Sequence, residues 1–163
     1  MMTSLCSEVL ARLEGRQLVT AESLTGGGIG ASLTAVPGSS AVYKGGVICY
    51  TNWVKENILG VPGDVLETCG AVSEPVAKAM AEGVRNLLKS DVAVSVTGLA
   101  GPGGDEYGNP VGTVCIGYAD ESGSFAKTFC FEGGREAVRS QTVENALRLV
   151  LDQALNSQLS TLN

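Results

Sequence analysis

Apolar residues recur along this chain with two different periods, and the switching between them lays out its elements. Over residues 3–15 (TSLCSEVLARLEG), Leu5, Cys6, Val9, Leu10 and Leu13 share one face of a helix, and Gly15 is its stop. QLVTAES then reads as a short buried strand ending near Ser23, followed by a helix from about Gly27 to Ala35. In AVYKGGVICYTN the VICY run predicts a strand, and Thr51 or Asn52 would cap a helix carrying WVKENIL, with Lys55 in about its first turn. After a loop near VPGD, Ser73 precedes Glu74-Pro75 and the periodic run VAKAMAEGVRNLL, where an early proline is harmless because its missing N–H has no intrahelical partner. DVAVSVTG is almost wholly apolar and β-branched, as expected of a strand covered on both faces, so it belongs in mid-sheet. A glycine-rich loop, GLAGPGGDEYGNP, leads to an antiparallel hairpin made of VGTVCIGYAD and SFAKTFCFE around a turn at ESG. A closing helix covers about 134–156.

Strands alternating with helices, plus one hairpin, predict an α/β fold: a three-layer α/β/α sandwich with a mixed, mostly parallel sheet. With no linker-like or repetitive stretch, residues 1–163 are expected to form one domain. Ligands of open α/β sheets bind at the carboxyl ends of strands. That rule selects SLTGGG after the first strand, YTN after the second and TGLAGPGG after the third.

Composition narrows the chemistry. The chain has no histidine, so there is no Ser-His-Asp triad, no Cys-His pair and no zinc site that uses imidazole. Acid or base work must fall to Lys, Tyr, Asp, Glu, Cys or a terminal amine. Seventeen acidic residues against eleven basic ones leave a net charge of −6, which argues against affinity for nucleic acid. No apolar run reaches the length of a membrane span and the first residues carry no signal pattern, so a cytoplasmic protein with no membrane partner is expected. Cys6, Cys49, Cys69, Cys115 and Cys130 form no C-x-x-C pair and mostly lie in apolar runs, as buried free thiols do.

TAESLTGGG ends a buried strand at a serine, and paired glycines then open a helix, whose free N–H groups and dipole would suit a phosphate or a developing oxyanion. The same residues equally serve a plainer end, with Ser23 and Thr25 capping the helix and the glycines making a tight turn. A serine hydroxyl needs a partner to take its proton, and lysine can do so only with its pKa lowered by burial or by a positive neighbour. Lys55 emerges near a strand's carboxyl end beside Tyr50 and an apolar layer; its alternative is a solvated surface lysine. Lys44 precedes its strand and is expected at the opposite edge of the sheet. In the third loop, glycines allow close approach of a ligand to backbone N–H groups, or simply make turns. Arg135 and Arg139 lie four apart on one face of the last helix, where one could fork onto a phosphate or carboxylate. Arg135 is the one expected to pair with Glu136 or Glu144 at the surface.

Taken together these segments resemble the CinA C-terminal domain family, whose characterised activity is deamidation of nicotinamide mononucleotide. The resemblance covers about residues 5–155 and rests on TAESLTGG (20–27), VPGSSAVYKGGVICYTNWVK (36–55), GAVSEP (70–75), SVTGLAGPGG (95–104), NPVGTV (109–114) and GGREAVRSQ (133–141), in that order. It implies hydrolysis of the amide to nicotinic acid mononucleotide and ammonia by a serine–lysine pair, without metal or other cofactor. Ser23 and Lys55 fall on the matching positions, with Tyr50 assisting, and Ser40 and Asn52 would orient the pair or the substrate. Thr97, Gly98, Ala100 and Gly101 match the ligand loop, and Arg139 matches an arginine that would hold the phosphate. Backbone N–H groups near Thr25, Gly26 and Gly27 would stabilise the oxyanion. The resemblance further implies a homo-oligomer, a dimer being favoured, and longer members carry an amino-terminal domain that these 163 residues do not contain.

Two positions depart from many relatives: Leu24 stands in place of cysteine and Gly134 in place of aspartate. Leu24 is expected to matter little, because neighbouring strand side chains face opposite ways. Gly134 bears on whether the following arginine is ordered. Two other functions compete with the enzyme, a pyridine- or purine-nucleotide sensor that binds without chemistry, and an interaction protein linked to DNA uptake or repair.

Overall fold

The computed structural model describes residues 1–161. In chain order the elements are α1 (Met2–Arg12), β1 (Leu18–Glu22), α2 (Gly28–Thr34), a 3-10 turn (Ser39–Ala41), β2 (Tyr43–Ile48), α3 (Asn52–Asn57), α4 (Gly63–Cys69), α5 (Glu74–Leu88), β3 (Val92–Gly98), β4 (Thr113–Asp120), β5 (Gly123–Cys130) and α6 (Arg135–Ser160). Among the described residues no helix is long and apolar enough to cross a membrane.

The five strands form one sheet in the order β2-β1-β3-β4-β5. β1 runs parallel to both β2 and β3, whereas β4 is antiparallel to β3 and to β5, so four of the five strands point the same way. The expected mixed, mostly parallel α/β sheet is the one observed. Strand alternation divides its two faces. Leu18, Val92, Val94, Val96, Ile116 and Tyr118 meet α1, α2 and α6 on one side, while Val19, Ala21, Ala93 and Ala119 meet α5 on the other. Val76, Met80, Ala81 and Val84, all fully buried, form the apolar stripe of α5. Every residue of β1 and the first six of β3 are buried, as strands covered on both faces must be.

The chain leaves β1 through α2 to reach β2 on one side, then crosses by α3, α4 and α5 to β3 on the other. This reversal opens a crevice beyond the carboxyl ends of β1 and β3, the place where ligands settle in open α/β sheets. Two elements differ from the sequence expectation. β2 begins at Tyr43 and ends at Ile48, earlier than the VICY run implied, because the glycines at 45 and 46 pair with β1 and the chain turns away at Cys49. The segment after VPGD folds into α4, whose short Gly63–Cys69 stretch has Leu66 as its one buried anchor and too little periodicity to announce itself.

Gly117 sits where α5 presses closest on β4: a Cβ there would meet the Ala77 carbonyl and the Ser95 hydroxyl well inside contact distance. Gly117→Ala should therefore destabilise the fold by roughly 1–3 kcal/mol. A urea midpoint that drops at unchanged m-value would show it; an unaltered midpoint would mean that the layers have slack.

Candidate active site

β1 is followed directly by Ser23, and α3 carries Lys55, so the register of β1 against β2 decides whether the two side chains meet. Glu22 pairs with Ile48, and the Cys49 N–H donates to the Glu22 carbonyl at 2.9 Å, which fixes where the chain departs for α3. On the other side the Ser23 N–H donates to Val96 O at 3.0 Å. Ser23 is thus held by its main chain at the crevice, and the Lys55 Nζ lies 3.0 Å from its Oγ.

Lys55 is only 2% exposed, an unusual place for an amine. Its Nζ donates to Cys49 O at 2.8 Å and makes a longer contact with Tyr50 O at 3.5 Å. A neutral amine has two N–H groups and one lone pair. When its two hydrogens go to the two carbonyls the lone pair is left for the Ser23 hydroxyl, whereas the ammonium form donates a third hydrogen to Ser23 Oγ. Burial lowers the Lys55 pKa below the ordinary lysine value, and only a neighbouring Cys49 acts to raise it. The Cys49 thiol is itself pushed up to about 11, chiefly by burial, so at neutral pH it is uncharged and offers the amine no counter-ion. None of the residues that line the cavity around the pair is acidic. Burial is thus the force that favours the neutral, proton-accepting form, set against three oxygen acceptors, Ser23 Oγ, Cys49 O and Tyr50 O, that also suit the ammonium.

The cavity has a volume of about 340 Å³. Ser23 and Lys55 lie in it with Asn52, and the end of β3 and the loop after it supply Thr97, Gly98, Ala100 and Gly101. Thr97 is buried and its Oγ1 donates to Ala71 O at 2.9 Å, tying that wall to the segment before α5. Ala71 and Val72, from the GAVSEP stretch, were given no role from sequence and also line the wall.

Several expected site residues lie elsewhere. Ser40 is exposed in the 3-10 turn that precedes β2, at the opposite end of the sheet from the crevice, where Lys44 also lies, its Nζ donating to Lys89 O. Tyr50 does line the cavity but is 60% exposed, and its contact with Lys55 is made by its carbonyl. Thr25, Gly26 and Gly27 do not line the cavity. The Gly26 N–H turns back to Ser23 O at 3.1 Å, the Gly28 N–H to Thr25 O at 3.0 Å, and the Thr25 hydroxyl donates to Glu22 Oε1 at 2.7 Å. The free N–H groups of α2 that follow, at Ile29 and Gly30, are likewise taken by the Glu22 carboxylate. The cavity is lined instead by Leu24 and by residues 98–101, of which Leu99 donates its N–H to Thr113 O at 2.9 Å. Leu24 follows β1 rather than lying in it, and it both lines the cavity and packs in the core.

Of the two arginines, Arg135 and not Arg139 is the one that lines the cavity. Arg139 donates from Nε to Leu24 O at 2.9 Å and from Nη2 to Thr25 O at 3.3 Å, which spends its guanidinium on the turn behind Ser23. Arg135, one helical turn earlier, lines the cavity; its Nη1 donates to Gly101 O at 2.6 Å and its Nη2 to Tyr50 Oη at 3.2 Å. It is ordered by these partners although Gly134 supplies no side-chain cap to α6.

Comparison with known proteins gives the family and the fold. Residues 2–154 match the family described as the CinA C-terminal domain. A CinA-like protein of Parasynechococcus marenigrum (strain WH8102) is 52% identical over 148 residues, which are 88% of this chain and 35% of that protein. One from Synechococcus sp. (strain CC9902) is 51% identical over 135 residues, 82% of this chain and 32% of that protein. The chain thus spans about a third of the length of these curated relatives. Among solved structures, a competence-damaged protein (CinA) superfamily protein from Klebsiella pneumoniae 700603 superposes with a TM-score of 0.93 at 33% identity, covering 96% of this chain and 99% of that one. A competence/damage inducible protein from Agrobacterium tumefaciens gives a TM-score of 0.89 at 37% identity, over 93% and 94% of the two chains.

Burial of Lys55 has a consequence for stability. Its pKa is lowered in the fold, so between the folded-state value and the ordinary 10.5 the unfolded chain binds more protons than the native one, and across that window this group's contribution to wild-type stability rises with pH. Methionine does not titrate. In paired urea titrations, Lys55→Met should gain on the wild type as pH is lowered from about 10 to about 7. A gap that is the same at both pH values would mean that the amine is solvated in the native state.

Proposed function

The chain belongs to the CinA C-terminal domain family, and on that footing we propose that it hydrolyses a carboxamide, with nicotinamide mononucleotide as substrate and nicotinic acid mononucleotide and ammonia as products. The observation that supports this reading most directly is the buried Lys55 amine, 3.0 Å from the Ser23 hydroxyl.

In this reading neutral Lys55 takes the proton as Ser23 Oγ attacks the carboxamide carbon. Backbone N–H groups of the lining residues Leu24, Ala100 and Gly101 hold the oxyanion, a contact worth about 3–4 kcal/mol per donor in acyl-transfer enzymes. The protonated Lys55 then returns its proton to the departing nitrogen, which leaves as ammonia. Water, deprotonated by the same amine, cleaves the acyl-enzyme, and the carboxylate product departs. No step calls on a metal or a redox cofactor. The mononucleotide's phosphate is held by Arg135, the permanent cation of the cavity wall, whose guanidinium can fork onto two phosphate oxygens. The protein acts as a homo-oligomer in the cytoplasm.

Ser23→Ala should lower ammonia release from the mononucleotide by at least about 10³-fold. In the wild type, kcat/KM should rise with pH through a midpoint below the ordinary lysine value, since the base works deprotonated. Full activity in the alanine variant would remove the nucleophile, and a flat pH profile would remove the base.

The two arginines separate in a second assay. Arg135→Gln should raise KM for the mononucleotide by roughly 10-fold or more and leave the phosphate-free riboside unaffected. Arg139→Gln should lower kcat for both substrates. A riboside KM that climbs equally in Arg135→Gln would place the phosphate elsewhere.

A further inference from the structure

The proposed reaction has no use for Glu22, a carboxylate only 2% exposed at the end of β1. Strand alternation turns it away from the cavity: Ser23 faces Lys55, and Glu22 faces α2. There Oε1 accepts hydrogen bonds from Thr25 Oγ1 at 2.7 Å and the Ile29 N–H at 2.8 Å, and Oε2 accepts one from the Gly30 N–H at 3.0 Å. The Thr20 hydroxyl lies at 3.5 Å from Oε2, and it is also 2.8 Å from Tyr43 Oη. The main chain of Glu22 is equally committed. Its carbonyl accepts the Cys49 N–H at 2.9 Å, and the Cys49 carbonyl in turn accepts from Lys55 Nζ at 2.8 Å.

From this geometry we propose that Glu22 is a positioning residue, which sets the Ser23 hydroxyl against the Lys55 amine by clamping the turn from Ser23 to Gly30. The inference rests on the serine–lysine reading above. One residue joins both halves of the pair. Its side chain holds the far end of the nucleophile's turn, and its carbonyl holds the strand that delivers the base. Arg139 grips the same turn from outside, through Leu24 O and Thr25 O. Glycines at 26 and 27, both at positive φ, make the turn tight but give it no stiffness of their own, so its shape depends on these side-chain ties. A carboxylate can accept at both ends and therefore suits three donors converging from one side. An amide of the same size must turn one N–H₂ group against donors.

The test is the rate at which a fluorophosphonate probe labels Ser23, a reaction in which Oγ bonds to phosphorus, fluoride leaves and Lys55 takes the hydroxyl proton. Labelling is followed by intact mass in wild type and in Glu22→Gln, with ammonia release from the mononucleotide measured on the same samples. The rate constant should fall roughly 10²-fold in Glu22→Gln, the loss expected when reacting atoms are displaced by about 1 Å. The fraction labelled at saturation, the KM and the pH midpoint should stay at wild-type values, since folding, substrate binding and the Lys55 proton equilibrium are not what the clamp controls. An unchanged rate constant overturns the proposal. A shifted midpoint overturns it too, because Glu22 would then act on the charge of Lys55 rather than on geometry. If Glu22→Gln does not fold, Thr25→Val removes one of the three bonds at constant shape and should slow labelling several-fold, and an unaltered rate there counts equally against the clamp. Wild-type protein that labels at Ser23 yet releases no ammonia removes the amidase reading while leaving the clamp intact, whereas wild type that does not label at all removes the clamp with the nucleophile.

Discussion

The reaction proposed for the cavity depends on one contact, a lysine amine taken out of water and set 3.0 Å from a serine hydroxyl. In bulk water neither group would be reactive, because the amine would be protonated and the hydroxyl would keep its proton. Removing the amine from solvent penalises its charged form, and two main-chain carbonyls then orient what is left. The cost of that burial is carried by the rest of the molecule. A sheet with both faces covered supplies a core of small aliphatic side chains, and the amine sits at its edge rather than in its middle, where the last residues of β1 and β3 give way to loops.

The parallel sheet does more than provide a platform. Because β1 lies between β2 and β3, its carboxyl end receives hydrogen-bonding partners from both sides, the Cys49 N–H to the Glu22 carbonyl and the Ser23 N–H to Val96 O. The serine is fixed by backbone before any side chain acts. Alternation along the strand then assigns adjacent residues to opposite sides of the sheet: the carboxylate of Glu22 goes to the helix layer, and the hydroxyl of Ser23 goes to the cavity. The separation has a chemical use. A carboxylate next to Lys55 would stabilise its ammonium form, whereas a carboxylate behind the turn fixes geometry and leaves the amine neutral.

The cavity is also electrically one-sided. No acidic residue lines it, and its permanent positive charge is Arg135 at the mouth, held over the opening by Gly101 O and Tyr50 Oη. The proposed substrate, with an anionic phosphate at one end and an uncharged amide at the other, has that polarity. The crevice, the pair and the arginine belong to three different elements, β1, α3 and α6, so the site exists only when the sheet and both helix layers are assembled.

Much of this was legible in the chain itself. Hydrophobic period set out the strands and most helices, the absence of histidine restricted the base to a few groups, and the ordered segments singled out Ser23 and Lys55. The same reading missed α4, expected Ser40 beside the pair when it lies at the other end of the sheet, paired Arg135 with a surface glutamate when it lines the cavity, and passed over Glu22, although a charged residue inside a buried strand was the signal for it. The misses share a cause. Periodicity states which face of an element is buried, and it does not state which turn of one helix meets which loop of another. Arg135 and Arg139 lie on one face at helical spacing, and only the docking of α6 against the Ser23 turn and the Gly101 loop sends one into the cavity and the other behind it. Likewise, sequence identified a lysine that could serve as a base, but the depression of its pKa is a property of the packed surroundings. Local pattern thus determined the elements and the candidate groups, and the tertiary fold alone decided their distances, their solvation and hence their chemistry.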